Sequence, residues 1–198
     1  MTSIVNFLRV LYYKIKYRGK LKIGSFVTLS RNITFIIDEG SQIVIGDNSI
    51  VRDFVELRAT KNTCLNIGSN CKLDRLVRII ATNGNDINIG RNTRIGIGSV
   101  LNGGEKIVIG ENCLISGYVY LQTSMHNHKL NTEIINSGYT YGPITIHQDS
   151  WIGVHAVIFP SVTLGRRTVV GSNSVVNKNF TKNSIIGGIP AKELKHDV

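Results

Sequence analysis

Five histidines and three cysteines are the side chains of this 198-residue chain best suited to moving a proton or an acyl group. Two of the histidines, His126 and His128, fall in LQTSMHNHKLNTEIINSGYTYGPIT, residues 121–145, the longest stretch without repetition. Free imidazole, with a pKa of about 6.5, is mostly neutral at cellular pH yet can accept a proton, so a loop histidine suits general-base work. The same pair could supply two ligands to zinc, but a zinc hydratase site needs three and the spacing for it is absent. His147 and His155 read as surface or interface residues, and His196 lies idle in the tail. Cys71 and Cys113 recur in IGSNC and IGENC at a position that takes small core fillers, and Cys64 has no metal-type partner spacing. An odd set of thiols without a framework favours a reducing, cytoplasmic setting over disulfides. Trp151, the only tryptophan, reads as an apolar contact at a corner or between copies.

The elements that must position these residues are set by a repeat. Residues 146–181 divide into IHQDSW, IGVHAV, IFPSVT, LGRRTV, VGSNSV and VNKNFT, six units in one phase. The first position is aliphatic throughout, and the fifth is small or β-branched except at Phe180. A period of six fits neither a helix nor one long strand and marks a parallel β-helix. Each unit is a short strand and a corner, three close a triangular coil of eighteen, and coils stack about 4.8 Å apart. Upstream, the coils start at Ile23, Ile45, Ile67, Ile89 and Ile109, and the surplus over eighteen follows the third side, which opens at Phe35, Leu57, Ile79, Leu101 and Leu121. Insertions thus stack along one corner, and segment 121–145 is the largest. A solenoid places insertions this way on a face that binds something.

A single domain spans 1–198: a basic amphipathic helix at 1–20, the β-helix at 23–181 with its excursion loop at 121–145, and an exit and tail at 182–198. Ile4, Phe7, Leu8, Leu11, Tyr12 and Ile15 recur at helical spacing beside Arg9, Lys14, Lys16, Arg18 and Lys20. Such a helix is expected to close the open end of the core, or to touch a membrane surface. The exit, KNSIIGGIPAKELKHDV, reads as a short extended piece followed by a weakly helical basic tail. Arg9 interrupts the one early apolar stretch, so no secretory signal or membrane span is expected. A net charge of +10 draws the chain to something anionic, but no basic-aromatic platform for nucleic acid is present.

His126 with the string NSG and YGPITI, the segment SWIG at 150–153 and GGIPAK at 187–192 resemble the hexapeptide-repeat acyltransferases. The likeness is greatest to the branch of maltose, galactoside and bacterial polysaccharide O-acetyltransferases. The resemblance implies an all-β, left-handed parallel β-helix of about seven coils, although parallel crossovers in general favour the right hand. It also implies a homotrimer with interfacial active sites, acetyl-coenzyme A as co-substrate and no metal. His126 falls on the family's catalytic position, with His128 as the competing base or an acceptor contact. Trp151, Gly153, Ser172, Asn177, Lys178, Lys192 and Lys195 fall along the coenzyme groove, a backbone N–H near Gly153 serves as oxyanion donor, and Asn102 contacts the acceptor. The implied activity is O-acetylation of a sugar hydroxyl by direct attack, in capsule, exopolysaccharide or lipopolysaccharide assembly. The alternatives are an antibiotic-inactivating acetyltransferase of the same fold and a non-catalytic scaffold binding anionic surfaces. Where the sugar enzymes carry an acidic residue, this chain has Tyr139, Thr140 and Tyr141.

Overall fold

The structure, a computed structural model, describes residues 4–128 and 131–196, with side chains described as far as Leu194. After the helix Ile4–Lys16, short strands visit three sheets in rotation, interrupted by the separate pair Ser124–His126 and Tyr139–Tyr141 and ending with two strands in the second sheet. The first sheet has seven strands, from Leu21–Ile23 to Thr163–Leu164. The second has nine, starting at Thr28–Leu29, and the third has seven, from Thr34–Ile37 to Val175–Val176. Each strand lies parallel to its equivalents one coil away, in the register the repeat requires: Ile45 opposite Ile67 and Ile146 opposite Leu164. The first-position aliphatics therefore form three inward columns. Ile45, Val51, Leu57, Leu73 and Ile79 are among a continuous run of residues with almost no exposure. Full burial of each such side chain contributes about 1.5–3 kcal/mol, so the stack as a whole fixes the fold.

The corners have their own chemistry. Between strands the parallel ladder leaves backbone groups without partners, and the small fifth-position residues serve them. Ser49 accepts the Cys71 amide at 3.0 Å and donates to Gly68 O at 3.0 Å, and Thr93 does the same for Cys113 and Gly110. Asn48, Asn70, Asn92 and Asn112 sit at the first corner with φ of 57–59°, a left-handed conformation that asparagine tolerates through its short polar side chain.

Two expectations are corrected. The sixth unit does not keep phase: Phe180 bridges to Leu164, so the chain reaches the first side two residues early and FTKNSI becomes the true unit, with Ser184 buried at its fifth position. That is why position five appeared to hold a phenylalanine. The tail is not helical. Ser184–Gly188 joins the second sheet, and Ala191–His196 folds back antiparallel along it, reversed at Gly188, whose φ of 102° suits glycine. The N-terminal helix closes the first coil as expected, and does so with a polar and aromatic face. Asn6, Arg9, Tyr13 and Tyr17 donate to the carbonyls of Val27, Leu29, Ile33 and Phe35, and Asn6 also accepts the Leu29 amide. The first coil has no coil beneath it, so its edge offers unpaired backbone groups, which polar side chains satisfy and aliphatic ones cannot.

Candidate active site

The excursion leaves the solenoid at the corner between the third and first sheets as an arm shorter than the expected 121–145, because Leu121 and Gln122 still pair in the third sheet and Ile144 and Thr145 already pair in the first. Ser124–His126 pairs antiparallel with Tyr139–Tyr141, which sets His126 opposite Tyr139. The two rings lie 4.2 Å apart at 42°, and the Tyr139 and Tyr141 rings are 6.0 Å apart. Beyond the pair, Asn127 ties the arm together. Its amide nitrogen donates to Ser137 O at 3.1 Å, its backbone N–H donates to Gly138 O at 3.0 Å, and it accepts from Thr140 Oγ1. The root is pinned by Thr123, fully buried, whose hydroxyl donates to Asn102 O at 2.7 Å and accepts the Glu105 amide at 3.0 Å. A backbone held this way on a rigid scaffold gives His126 a fixed origin while its side chain stays exposed.

Below the root the smaller insertions form a ladder. Thr60 bonds Thr82 at 3.1 Å, Lys61 Nζ bonds Asn83 Oδ1 at 3.1 Å, and Asn83 donates to Gly104 O at 3.3 Å. Gly104 lies under the Tyr141 ring, where a Cβ would stand 3.0 Å from Cε1. Asn102 faces outward on the third sheet beside Gln122, and its amide donates to the Tyr120 hydroxyl at 3.3 Å. These residues make a polar surface continuous with the arm.

The residues expected along the coenzyme groove are not gathered around His126 within one chain. Trp151 stands on the outer side of the second sheet, 49% exposed, between Leu114 and Val169, and donates to Ser116 Oγ at 3.1 Å. Ser172 is exposed at the corner after that sheet, while Asn177 and Lys178 are exposed at the next corner, with Lys178 Nζ 5.4 Å from the centre of the Phe180 ring. Lys192 is exposed on the folded-back tail, and the Lys195 side chain falls outside the described residues. All belong to the last two coils and the tail, the same end of the solenoid as the arm; Asn177 and Lys178 share the arm's corner between the third and first sheets, whereas Trp151, Ser172 and Lys192 lie on the second sheet or the corner after it. His128 is exposed two residues beyond His126.

Gly153 is buried, and its amide donates to Val170 O at 2.8 Å within the ladder, so that N–H is occupied. Its lack of a side chain is explained by packing, since a Cβ would come within 2.6 Å of the Ser172 nitrogen. The repeat pattern did not reveal Tyr139 as the neighbour of His126, although alternation in Tyr-Thr-Tyr was the available signal. Burial raises the pKa of the Cys71 and Cys113 thiols, and partial burial together with the Asp86 carboxylate raises that of Cys64. All three stay protonated near neutrality and make poor nucleophiles. Among the described residues, no three His, Cys, Asp or Glu side chains gather to hold a metal.

No family model matches the chain. Over 90 residues it is 38% identical to the galactoside O-acetyltransferase of Escherichia coli K12, covering 45% of this chain and 43% of that protein. Over 110 residues it is 31% identical to the chloramphenicol acetyltransferase of Agrobacterium fabrum, covering 47% and 53%. The chain thus spans about half the length of the curated relatives it matches. Among solved structures, a mutant of AntD, an N-acyltransferase from Bacillus cereus with dTDP-4-amino-4,6-dideoxyglucose and coenzyme A, superposes with a TM-score of 0.68 at 19% identity. It covers 93% of this chain and 88% of AntD. The chain has the left-handed β-helix fold of the hexapeptide-repeat acyltransferases. The polySia specific acetyltransferase NeuO shares this fold, with a TM-score of 0.52 at 24% identity over 89% of this chain and 86% of NeuO.

Proposed function

We propose that the protein is an acetyl-coenzyme A-dependent O-acetyltransferase acting on a sugar hydroxyl in surface polysaccharide assembly, in the cytoplasm. The observation that carries this reading is His126 itself, exposed on a hydrogen-bonded arm beside Tyr139. His126 takes the hydroxyl proton as the acceptor oxygen bonds to the thioester carbonyl carbon, then returns it to the departing thiolate. Proton, acyl group and leaving group all balance without a covalent enzyme intermediate, in keeping with three thiols held protonated.

The residues present fit an acyl-coenzyme A. Trp151 and Leu114 offer an exposed apolar strip for the pantetheine arm, and Lys178 and Lys192 offer charge for its phosphates at the same end. Because Trp151, Leu114 and Lys192 lie on the second sheet, away from the corner that carries His126, while Lys178 shares that corner, the site is completed when the arm of one copy meets the second-sheet wall of another in a trimer. Phe54, Leu76 and Tyr118 support that assembly. They line one corner, 48–59% exposed, with φ of 57–63°. Bulky residues are costly in that conformation, so strain concentrated in an exposed apolar line suits a contact surface.

A second reading, modification of an amphenicol-type antibiotic, is favoured only by the likeness to the chloramphenicol enzyme. One assay separates them: thiol release from acetyl-coenzyme A with free sugars, nucleotide sugars, oligosaccharides and chloramphenicol, followed by mass analysis of the product. The proposal expects an O-acetylated sugar. Acetylation of chloramphenicol alone would transfer the assignment to the second reading.

A further inference from the structure

We propose that the N-terminal helix docks the protein on an anionic lipid surface, with its outward apolar face in the headgroup layer. Ile4, Phe7, Leu8, Leu11, Tyr12 and Ile15 are 43–79% exposed, whereas the side against the solenoid carries Asn6, Val10, Tyr13 and Tyr17. The apolar stripe is therefore spare: the hydrogen bonds to the first coil hold the helix without it. Phe26, 76% exposed, extends the surface from the first coil, and a cavity of about 500 Å³ lined by Phe7, Val10 and Phe26 lies between them.

Charge identifies the occupant. Residues 1–37 contain seven lysines and arginines and no aspartate or glutamate, so they carry seven of the ten net positive charges. Lys14, Lys16 and Arg18 are exposed along and just beyond the stripe. An apolar face with basic flanks is the pattern of a helix lying in a membrane interface. A second copy of the helix fits poorly, because pairing would set like charges together with no acidic partner. Among the described residues no helix is long and apolar enough to cross a membrane, and this one has 13 residues. Docking in this way would hold the root of the arm four coil steps above the first coil, on the order of 19 Å at about 4.8 Å per step.

The test is flotation of the full chain with vesicles of phosphatidylcholine alone and of phosphatidylcholine mixed with phosphatidylglycerol, at low and physiological salt. Binding is expected on the mixed vesicles and should weaken with salt. Lys14→Gln should lower partitioning about fivefold, and Leu8→Ser and Leu11→Ser on the order of tenfold each. Circular dichroism melts confirm that the variants fold. Equal binding to both vesicle types, or unchanged binding by the leucine variants, would overturn the proposal. So would dissociation of a lipid-free assembly in the leucine variants, which would give the face to a second copy. None of these readouts depends on acetyl transfer.

Discussion

At the scale of single residues, the chain separates groups that can react from groups that are shut away. His126 is exposed beside Tyr139, while Cys71 and Cys113 are each 2% exposed, and their raised pKa values follow first from burial. A thiol whose folded pKa lies above its unfolded value favours the folded state below about pH 8.5. That contribution is lost as pH rises through the folded pKa. Denaturation midpoints measured from pH 7 to 10 should therefore fall above about pH 8.5, and a Cys71→Ala, Cys113→Ala double variant should show a shallower decline. An equal decline in both proteins would remove the thiols from the explanation. The core role of these cysteines was legible from their place in the six-residue unit, which is a local pattern. The contact between His126 and Tyr139 was not, because it depends on antiparallel pairing across thirteen residues of non-repeating sequence.

At the scale of elements, the unit of six dictates the stacking and the stacking dictates where side chains are excluded. A Cβ on Gly46 would lie 2.5 Å from the Ser69 nitrogen and 2.6 Å from the Gly68 carbonyl carbon, both backbone atoms of the next coil. Gly84, at φ 75°, has open space around it. Chemical denaturation should therefore show Gly46→Ala losing about 3 kcal/mol through overpacking, and Gly84→Ala only about 1 kcal/mol, the cost of a left-handed alanine. Similar losses at both sites would contradict the stacking argument. The three sides, the eighteen-residue coil and the corner that carries the arm could be read in advance, since each follows from a fixed period; the arm's own limits could not, because Leu121, Gln122, Ile144 and Thr145 remain in solenoid strands. The orientation of the helix could not: periodicity shows which residues share a face, not what that face meets. The deciding fact was the bare backbone edge of the first coil, which draws Asn6, Arg9, Tyr13 and Tyr17.

At the scale of the whole molecule, the arm shares its corner with Asn177 and Lys178 but not with Trp151 and Lys192 on the second sheet, and the proposed site gathers all of them when copies assemble. Sedimentation should give three times the 21.9 kDa chain mass. A Leu76→Asp, Tyr118→Asp variant should sediment as single chains and lose acetyl transfer while keeping its β circular dichroism. A fully active single chain would show that the site closes within one copy. The central claim is that this scaffold transfers an acetyl group with His126 as base. The most direct measurement is kcat for acetyl transfer to the best acceptor by wild type and His126→Ala. The account expects a fall of about 10²- to 10⁴-fold with the fold and coenzyme A binding retained. Transfer by His126→Ala at near wild-type rate would contradict it.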